Sequence, residues 1–332
     1  HRDLHSFPTR RSSDLAYGKA EAAARRSGDE RVLSVSHNKI GDVRRAQGDL
    51  TGALTAYAAS HANFERLAAA NPSNTQRQGD LSISHDKIGD VRTAQGNLAG
   101  ALMAYEASLA IRQRLAAADP SNTVWQRDLS VSQNQIGYVR VAQGDLAGAL
   151  TAYEASHAIF ERLAAADTRN TQWQRDLSIS HDRIGDVRRA QGDLAGALMA
   201  YEASLAIRQR LAAADPSNTQ WQRDLSISQE KIGDVRVAQG DLTGALTAYE
   251  ASLAIRQRLA AADRSNTEWQ RDLAVSHLRV ALVQARQGKK SAARDGYERA
   301  RAIIVKLIAL SPSDATLPND LAWLDAQLKT LK

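Results

Sequence analysis

Residues 173–220 read WQRDLSISHDRIGDVRRAQGDLAGALMAYEASLAIRQRLAAADPSNTQ, and most of the chain is built from copies of this 48-residue unit. Trp125, Trp173, Trp221 and Trp269 fall at that period, as do Ile40, Ile88, Ile136, Ile184, Ile232 and Val280. Repetition at about 20–50 residues marks a stacked array, in which each unit buries its apolar face on its neighbours.

The first half of the unit carries Trp173, Leu177, Ile184 and Val187. Their offsets of 0, 4, 11 and 14 lie on one face of a helix. The second half repeats the pattern with Leu194, Leu198, Tyr201, Leu205 and Leu211. Between them stands Gly192-Asp193. Glycine tolerates the left-handed conformation that ends a helix, and aspartate caps the next one. After the second helix, Pro216 stops the run, and Ser217 with Gln220 predicts a capping box, repeated by Ser265 with Glu268 and Ser73 with Gln76. Each unit therefore reads as helix, tight turn, helix, short loop.

Ile184-Gly185, then Gly192-Asp193-Leu194, then Ala197-Leu198 and Tyr201, stand at the spacing of the tetratricopeptide repeat, which the chain resembles from about Asp29 to about Leu310 in six copies. Gly185 and Ala197 are small where paired helices must approach closely. The unit is longer than the family's usual repeat of about 34 residues and closer to the long-helix kind of kinesin light chains. His181 stands for the family's first-helix aromatic, Val187 or Arg188 for its later tyrosine, and the terminal proline is displaced. The resemblance implies an all-α, right-handed superhelical solenoid of antiparallel helix pairs. It also implies a protein-binding role, often as the recognition arm of a larger bacterial signalling protein.

Residues 1–15, HRDLHSFPTRRSSDL, match codon for codon a translated short-read sequencing adapter, and are expected to be disordered and foreign to the fold. The natural N-terminus is then expected to be missing, which leaves an upstream domain or a signal peptide open. Residues 16–28 are alanine-rich and fit the remnant of a preceding helix. Six repeats are expected over 29–316 and a capping helix over 317–332, where Leu317, Leu321, Leu324 and Leu328 share one face. The alternation of HA-x-FERL with EASLAIRQRL suggests that pairs of repeats were duplicated, and near-identity leaves the true copy number open.

The chain has 332 residues, no cysteine and a formal net charge of +6. Absence of cysteine excludes disulfides and thiolate metal sites. The internal unit is neutral; the basic excess gathers after Trp269 at Lys289, Lys290, Arg294, Arg299, Arg301 and Lys306. Nucleic acid is disfavoured as a partner because the repeats lack both basic stripes and free aromatic residues. No apolar run reaches the length of a membrane span, so membrane binding is not expected and a cytoplasmic location is.

His37, His85, His181 and His277 share one slot with Gln133 and Gln229. Histidines on helices one repeat apart converge poorly on one ion, and packing is the expected role of these and of His61 and His157. Serine and histidine recur as neighbours on one helix, as in Ser34, Ser36 and His37, which cannot assemble a triad. Neither a phosphate-binding loop nor a nucleophile elbow is present. No catalytic, cofactor or metal residue is assigned, and the chain is not expected to be an enzyme.

The candidate site is a pair of ladders on the first helices: Asn38, Asp86, Asn134, Asp182 and Glu230, and Asp42, Asp90, Tyr138, Asp186 and Asp234, with Arg189 beside them. Arg175, Ile179, Asp182, Asp186 and Arg189 follow helical spacing opposite Leu177 and Ile184. Paired carboxylates at i, i+4 repel by about 0.2–0.5 kcal/mol. Two sources of compensation stand open: Lys87, Arg183 and Lys231 bridging repeats, or a basic partner segment lying in the groove. The β-branched row Val35, Ile83, Val131, Ile179, Ile227 and Val275 would supply apolar pockets beside the acids. A protein or peptide partner is the leading reading; an RNA-binding repeat and a structural spacer stay open beside it.

Overall fold

The computed structural model describes Ala22 and residues 29–331. The expectations for residues 1–15, and apart from Ala22 those for 16–28, lie outside the described residues. Thirteen helices follow among these residues: α1 (Glu30–Ala46), α2 (Leu50–Ala70), α3 (Thr75–Ala94), α4 (Leu98–Ala118), α5 (Thr123–Gln143), α6 (Leu146–Ala166), α7 (Thr171–Ala190), α8 (Leu194–Ala214), α9 (Thr219–Ala238), α10 (Leu242–Ala262), α11 (Thr267–Arg286), α12 (Lys290–Leu310) and α13 (Leu317–Thr330). There is no strand among the described residues, and none of their helices is long and apolar enough to cross a membrane. The chain divides into two compact units, the first ending at Leu163 within α6 and the second beginning at Ala164.

The caps explain where the helices start and stop. Gly192 has φ +82°, so the chain leaves α7 in the left-handed region, and Asp193 Oδ1 then accepts the Gly196 amide at 2.8 Å to open α8. At the other loop the capping residue differs from expectation. Asn218, not Ser217, is the N-cap of α9, its Oδ1 accepting the Trp221 amide at 3.1 Å. Ser217 lies one residue too early; its hydroxyl and amide both donate to Asp215, at 2.6 and 3.0 Å. The loop before α11 is built the same way, with Asn266 as cap and Ser265 held by Asp263; before α3, Asn74 is the cap and Ser73 donates to Asn71. Gln220 does not reach back to close a box but donates to Asp224 within its own helix.

In the first unit each helix packs on the next from α1 to α5. Tyr57 of α2 is buried with Ile88 and Val91 of α3, and Tyr105 of α4 with Ile136 and Val139 of α5. In the second unit the helices pack in succession from α7 to α13, with Tyr201 on Ile232 and Val235, and Tyr249 on Val280 and Val283. In these four second helices one tyrosine thus seals the next repeat. Its ring is admitted by the glycine of its own first helix: a Cβ on Gly185 would lie 2.5 Å from Tyr201 Cε1. The last repeat solves the same contact in reverse. Ala281 replaces the first-helix glycine, and Gly296 of α12 gives way instead, a Cβ there falling 2.8 Å from that of Ala281.

The end of the second unit is closed by α13. Leu317 and Leu324 are buried, and Leu321 and Leu328 half-buried, against Tyr297, Ala300, Ile304 and Leu307 of α12. Trp323 meets Tyr297 edge-on, their ring centres 6.2 Å apart.

Candidate interaction surface on the first helices

The second acid of each ladder pair is held from two sides. Asp42 accepts from Tyr57 Oη and from Lys87 Nζ, each at 2.7 Å. Asp90 accepts from Tyr105 at 2.8 Å and from Arg45 at 3.2 Å. Asp186 accepts from Tyr201 at 2.6 Å and Lys231 at 2.5 Å. Asp234 accepts from Tyr249 at 2.6 Å and is paired with Arg279. The tyrosine comes from the second helix of the same repeat. Lys87, Lys231 and Arg279 come from the following repeat, so they bridge backward, not forward. Burial alone would raise the Asp42 carboxyl, but hydrogen bonds from Lys87 and Tyr57 outweigh it and hold it below the usual carboxylate range. Burial first, and the neighbouring carboxylate second, push the Tyr57 and Tyr201 phenols up. In repeat three the same slot is Tyr138, which stands 61% exposed.

The first acid of each pair is engaged by a buried arginine from the second helix of its own repeat, and Glu230 also borders the smaller pocket described below. Asp182 is buried, its Oδ2 lying 2.7 Å from Arg208 Nη2, and Asp86 pairs with Arg112 at 2.6 Å. Glu230 pairs with Arg256 and, at 2.5 Å, with Arg279. Helical spacing put Asp182 on the outer face; the second helix of its own repeat covers it. Arg112, Arg208 and Arg256 are themselves about 95% buried, with 5%, 4% and 5% exposure. Each also reaches the following repeat: Arg208 Nη1 donates to Ser228 Oγ at 2.8 Å and to the Asp224 carbonyl at 3.0 Å. Burial raises the Asp86 carboxyl to about 6 although Arg112 opposes the shift, and raises Asp182 in the same way against Arg208.

The sequence held a signal for these arginines that reading one helix at a time misses. Where the first helix has Asn38 or Asn134, the second has Phe64 or Phe160; where it has Asp86, Asp182 or Glu230, the second has Arg112, Arg208 or Arg256. The last repeat puts Leu278 and Ile304 in these slots. Polar, ionic and apolar pairs thus fill one position. Asn38 and Asn134 are half-buried.

The β-branched row is unevenly covered: Val35 and Ile83 are exposed, whereas Val131, Ile179, Ile227 and Val275 are half-buried. In the second unit two pockets open along the first helices and share Arg189 and Asp234. One, of about 250 Å³, is bordered by Asp186, Tyr201, Ile227 and Lys231. The other, of about 360 Å³, lies between Arg189 of α7, Asp234 and Val237 of α9, and Arg279, Leu282 and Arg286 of α11.

Members of the histidine and serine slots make contacts inside the array. His61 and His85 meet edge-on at 4.4 Å, and His61 Nδ1 lies 2.9 Å from Ser84 Oγ. Ser178 and Ser180 are buried and donate to the carbonyls of Arg175 and Leu177, both at 2.7 Å. Among the described residues no group of three or more His, Asp or Glu side chains is placed to hold a metal ion. Two members of the basic C-terminal cluster are paired: Arg294 with Glu298 and Arg301 with Asp325.

No family model and no curated protein matches the sequence. Solved structures do match the fold. BtubC (BKLC) from P. vanneervenii is 18% identical, with a TM-score of 0.60 over 78% of this chain and 92% of its own. The putative kinesin light chain of Podosopora anserina, with nearly identical TPR-like repeats, is 18% identical, with a TM-score of 0.52 over 69% of this chain and 96% of its own. The apo form of RapI is 13% identical, with a TM-score of 0.52 over 82% and 99%. Paired helices of this length, joined by turns at a left-handed glycine and sealed by buried tyrosines, give the chain the tetratricopeptide-like solenoid fold of the long-helix, kinesin-light-chain kind.

Proposed function

We propose that this chain is a protein-interaction scaffold which takes a segment of a partner protein along its first helices and performs no chemistry of its own. The observation that carries this reading is the pair of adjoining pockets in the second unit. Neighbouring repeats build them from charged side chains set around Ile227 and Tyr201 in one and around Val237, Leu282 and Val283 in the other, at a size suited to side chains of a bound segment. The acid ladder taken alone favours a basic segment. Its acids are largely matched by cations of the chain itself, which removes most of that attraction. In this reading the scaffold serves a larger bacterial regulatory protein in the cytoplasm, as the resemblance implies.

The test is a peptide array of acidic, basic and neutral sequences probed with the purified chain, followed by photo-crosslinking of each hit. Hits crosslinked to α7, α9 or α11 support the scaffold. A chain that binds no peptide is a spacer, and one that instead binds single-stranded RNA with a steep salt slope is an RNA-binding repeat.

A further inference from the structure

The larger pocket of the second unit differs from the corresponding place in every other repeat. Arg286 stands in a slot that holds Ala46, Ala94, Ala142, Ala190 and Ala238 elsewhere. Arg279 stands where other repeats have Lys39, Lys87, Gln135, Arg183 and Lys231. Arg189 shares its slot with Arg45, but also with Thr93, Val141, Val237 and Ala285. No other run of repeats places arginine in all three of these slots, and here the three guanidiniums border one pocket with the single carboxylate of Asp234. That carboxylate is already engaged by Tyr249 and Arg279. Arg189 comes no closer to it than 3.9 Å, and Arg286 makes no hydrogen bond or ion pair among the described residues. Arg286 is therefore exposed and uncommitted on one side of Val237 and Leu282, and on the other Arg189 is exposed and held only by its long pair with Asp234.

We infer that this pocket is the scaffold's selective site and that it receives an acidic segment of the partner. An aspartate or glutamate would lie between Arg189 and Arg286, with an aliphatic neighbour on Val237 and Leu282. The inference rests on the scaffold reading and narrows it. Guanidiniums bind carboxylates with charge-assisted, directional hydrogen bonds, so the rim prefers an acid. A nucleic acid would want cations spaced along a phosphate chain; here they converge on one pocket beside Val237 and Leu282. Near-identical repeats offer a partner near-identical surface, so discrimination falls to the place where the repeats depart from one another.

The experiment uses the full chain with three fluorescent probes: a peptide of alternating glutamate and leucine, one of alternating lysine and leucine, and an oligouridylate. The acidic peptide should bind, more weakly as salt rises. Arg286→Ala and Arg189→Ala should each weaken it about tenfold, and Arg45→Ala should leave it unchanged. Arg286→Ala restores the residue of the other repeats, and an unchanged melting curve will show that it folds. Unchanged affinity in Arg286→Ala overturns the proposal, as does tighter binding of the lysine peptide or of the oligouridylate. If the acidic peptide fails while array peptides crosslink elsewhere on the first helices, the pocket assignment falls and the scaffold stands. If no peptide binds at all, both fall.

Discussion

Arg208 and Asp182 form an ion pair at 2.7 Å with side chains only 5% and 9% exposed. The same guanidinium then crosses to Ser228 of the next repeat. One buried side chain therefore joins the two helices of its own repeat and ties that repeat to its successor.

Removing one partner of a buried pair leaves the other charged and uncompensated, which costs about 3–5 kcal/mol. Asp182→Ala and Arg208→Met should each destabilise the protein on that scale in urea denaturation. Asp182→Asn with Arg208→Phe copies the pair of repeats one and three. This double variant should lose less stability than either single one; purely additive losses would show that the slot is not a coupled unit.

Acid should loosen the junction of repeats one and two. Burial lowers the His85 imidazole to about 4, with His61 opposite adding to the effect, and burial lowers His61 as well, against Glu65. A depressed folded value means the unfolded chain takes up the proton first. The contribution is present above the ordinary histidine range and is lost as pH falls from there toward 4. His85→Gln copies the residue at Gln133 and Gln229. It should flatten the fall in melting temperature between neutral pH and that limit, and a fall as steep as in the parent would reject the assignment.

Two glycines should respond in opposite directions to alanine. At Gly185 the added methyl meets the Tyr201 ring at 2.5 Å and should cost about 1–3 kcal/mol. At Gly79, inside α3, nothing lies within 4 Å, and alanine should add about 0.5–1 kcal/mol through helix propensity. Melting curves of the two variants decide it.

Asp186→Asn weakens a contact shared by Tyr201 and Lys231. The site is partly exposed, so the loss should be modest, about 0.5–1.5 kcal/mol, and smaller at high salt. Stability that holds or rises would mean the carboxylate is held for a ligand and not as an inter-repeat strut.

Truncation after Pro312 removes α13 and uncovers Tyr297, Ile304 and Leu307. The shortened chain should aggregate or melt lower than one lacking a whole internal repeat, by light scattering and calorimetry. Equal behaviour would deny α13 its capping role.

Much of this was legible in the sequence because periodicity and turn chemistry are local. The 3.6-residue stripe from Trp173 to Val187 and the Gly192-Asp193 turn need only neighbours along the chain. What escaped depends on competition or on a second helix. Ser217 and Asn218 can both cap α9, and Asp215 decides between them by capturing the serine. Asp182 and Asp186 sit one turn apart on α7, so spacing alone gives them one face; Arg208 covers the first, and Tyr201 and Lys231 hold the second at its edge. The direction of the lysine bridges likewise depends on which way adjacent first helices are offset, which no single helix records.

The buried arginines also bear on how such a chain changes length over generations. Arg112, Arg208 and Arg256 keep their carboxylate partner within the same repeat. Outward they ask only for a serine hydroxyl and a backbone carbonyl, at Ser132, Ser228 and Ser276. Every repeat supplies that serine, whatever fills its own ionic slot. Unequal crossing-over between copies can therefore place a new repeat behind one of these arginines without stranding its buried charge, and the ionic contacts it would change include partly exposed bridges such as Lys87–Asp42. A change of length by whole repeats thus spares the buried arginine contacts, and natural selection is left to act on the few positions, such as Arg286, where one copy has ceased to resemble its siblings.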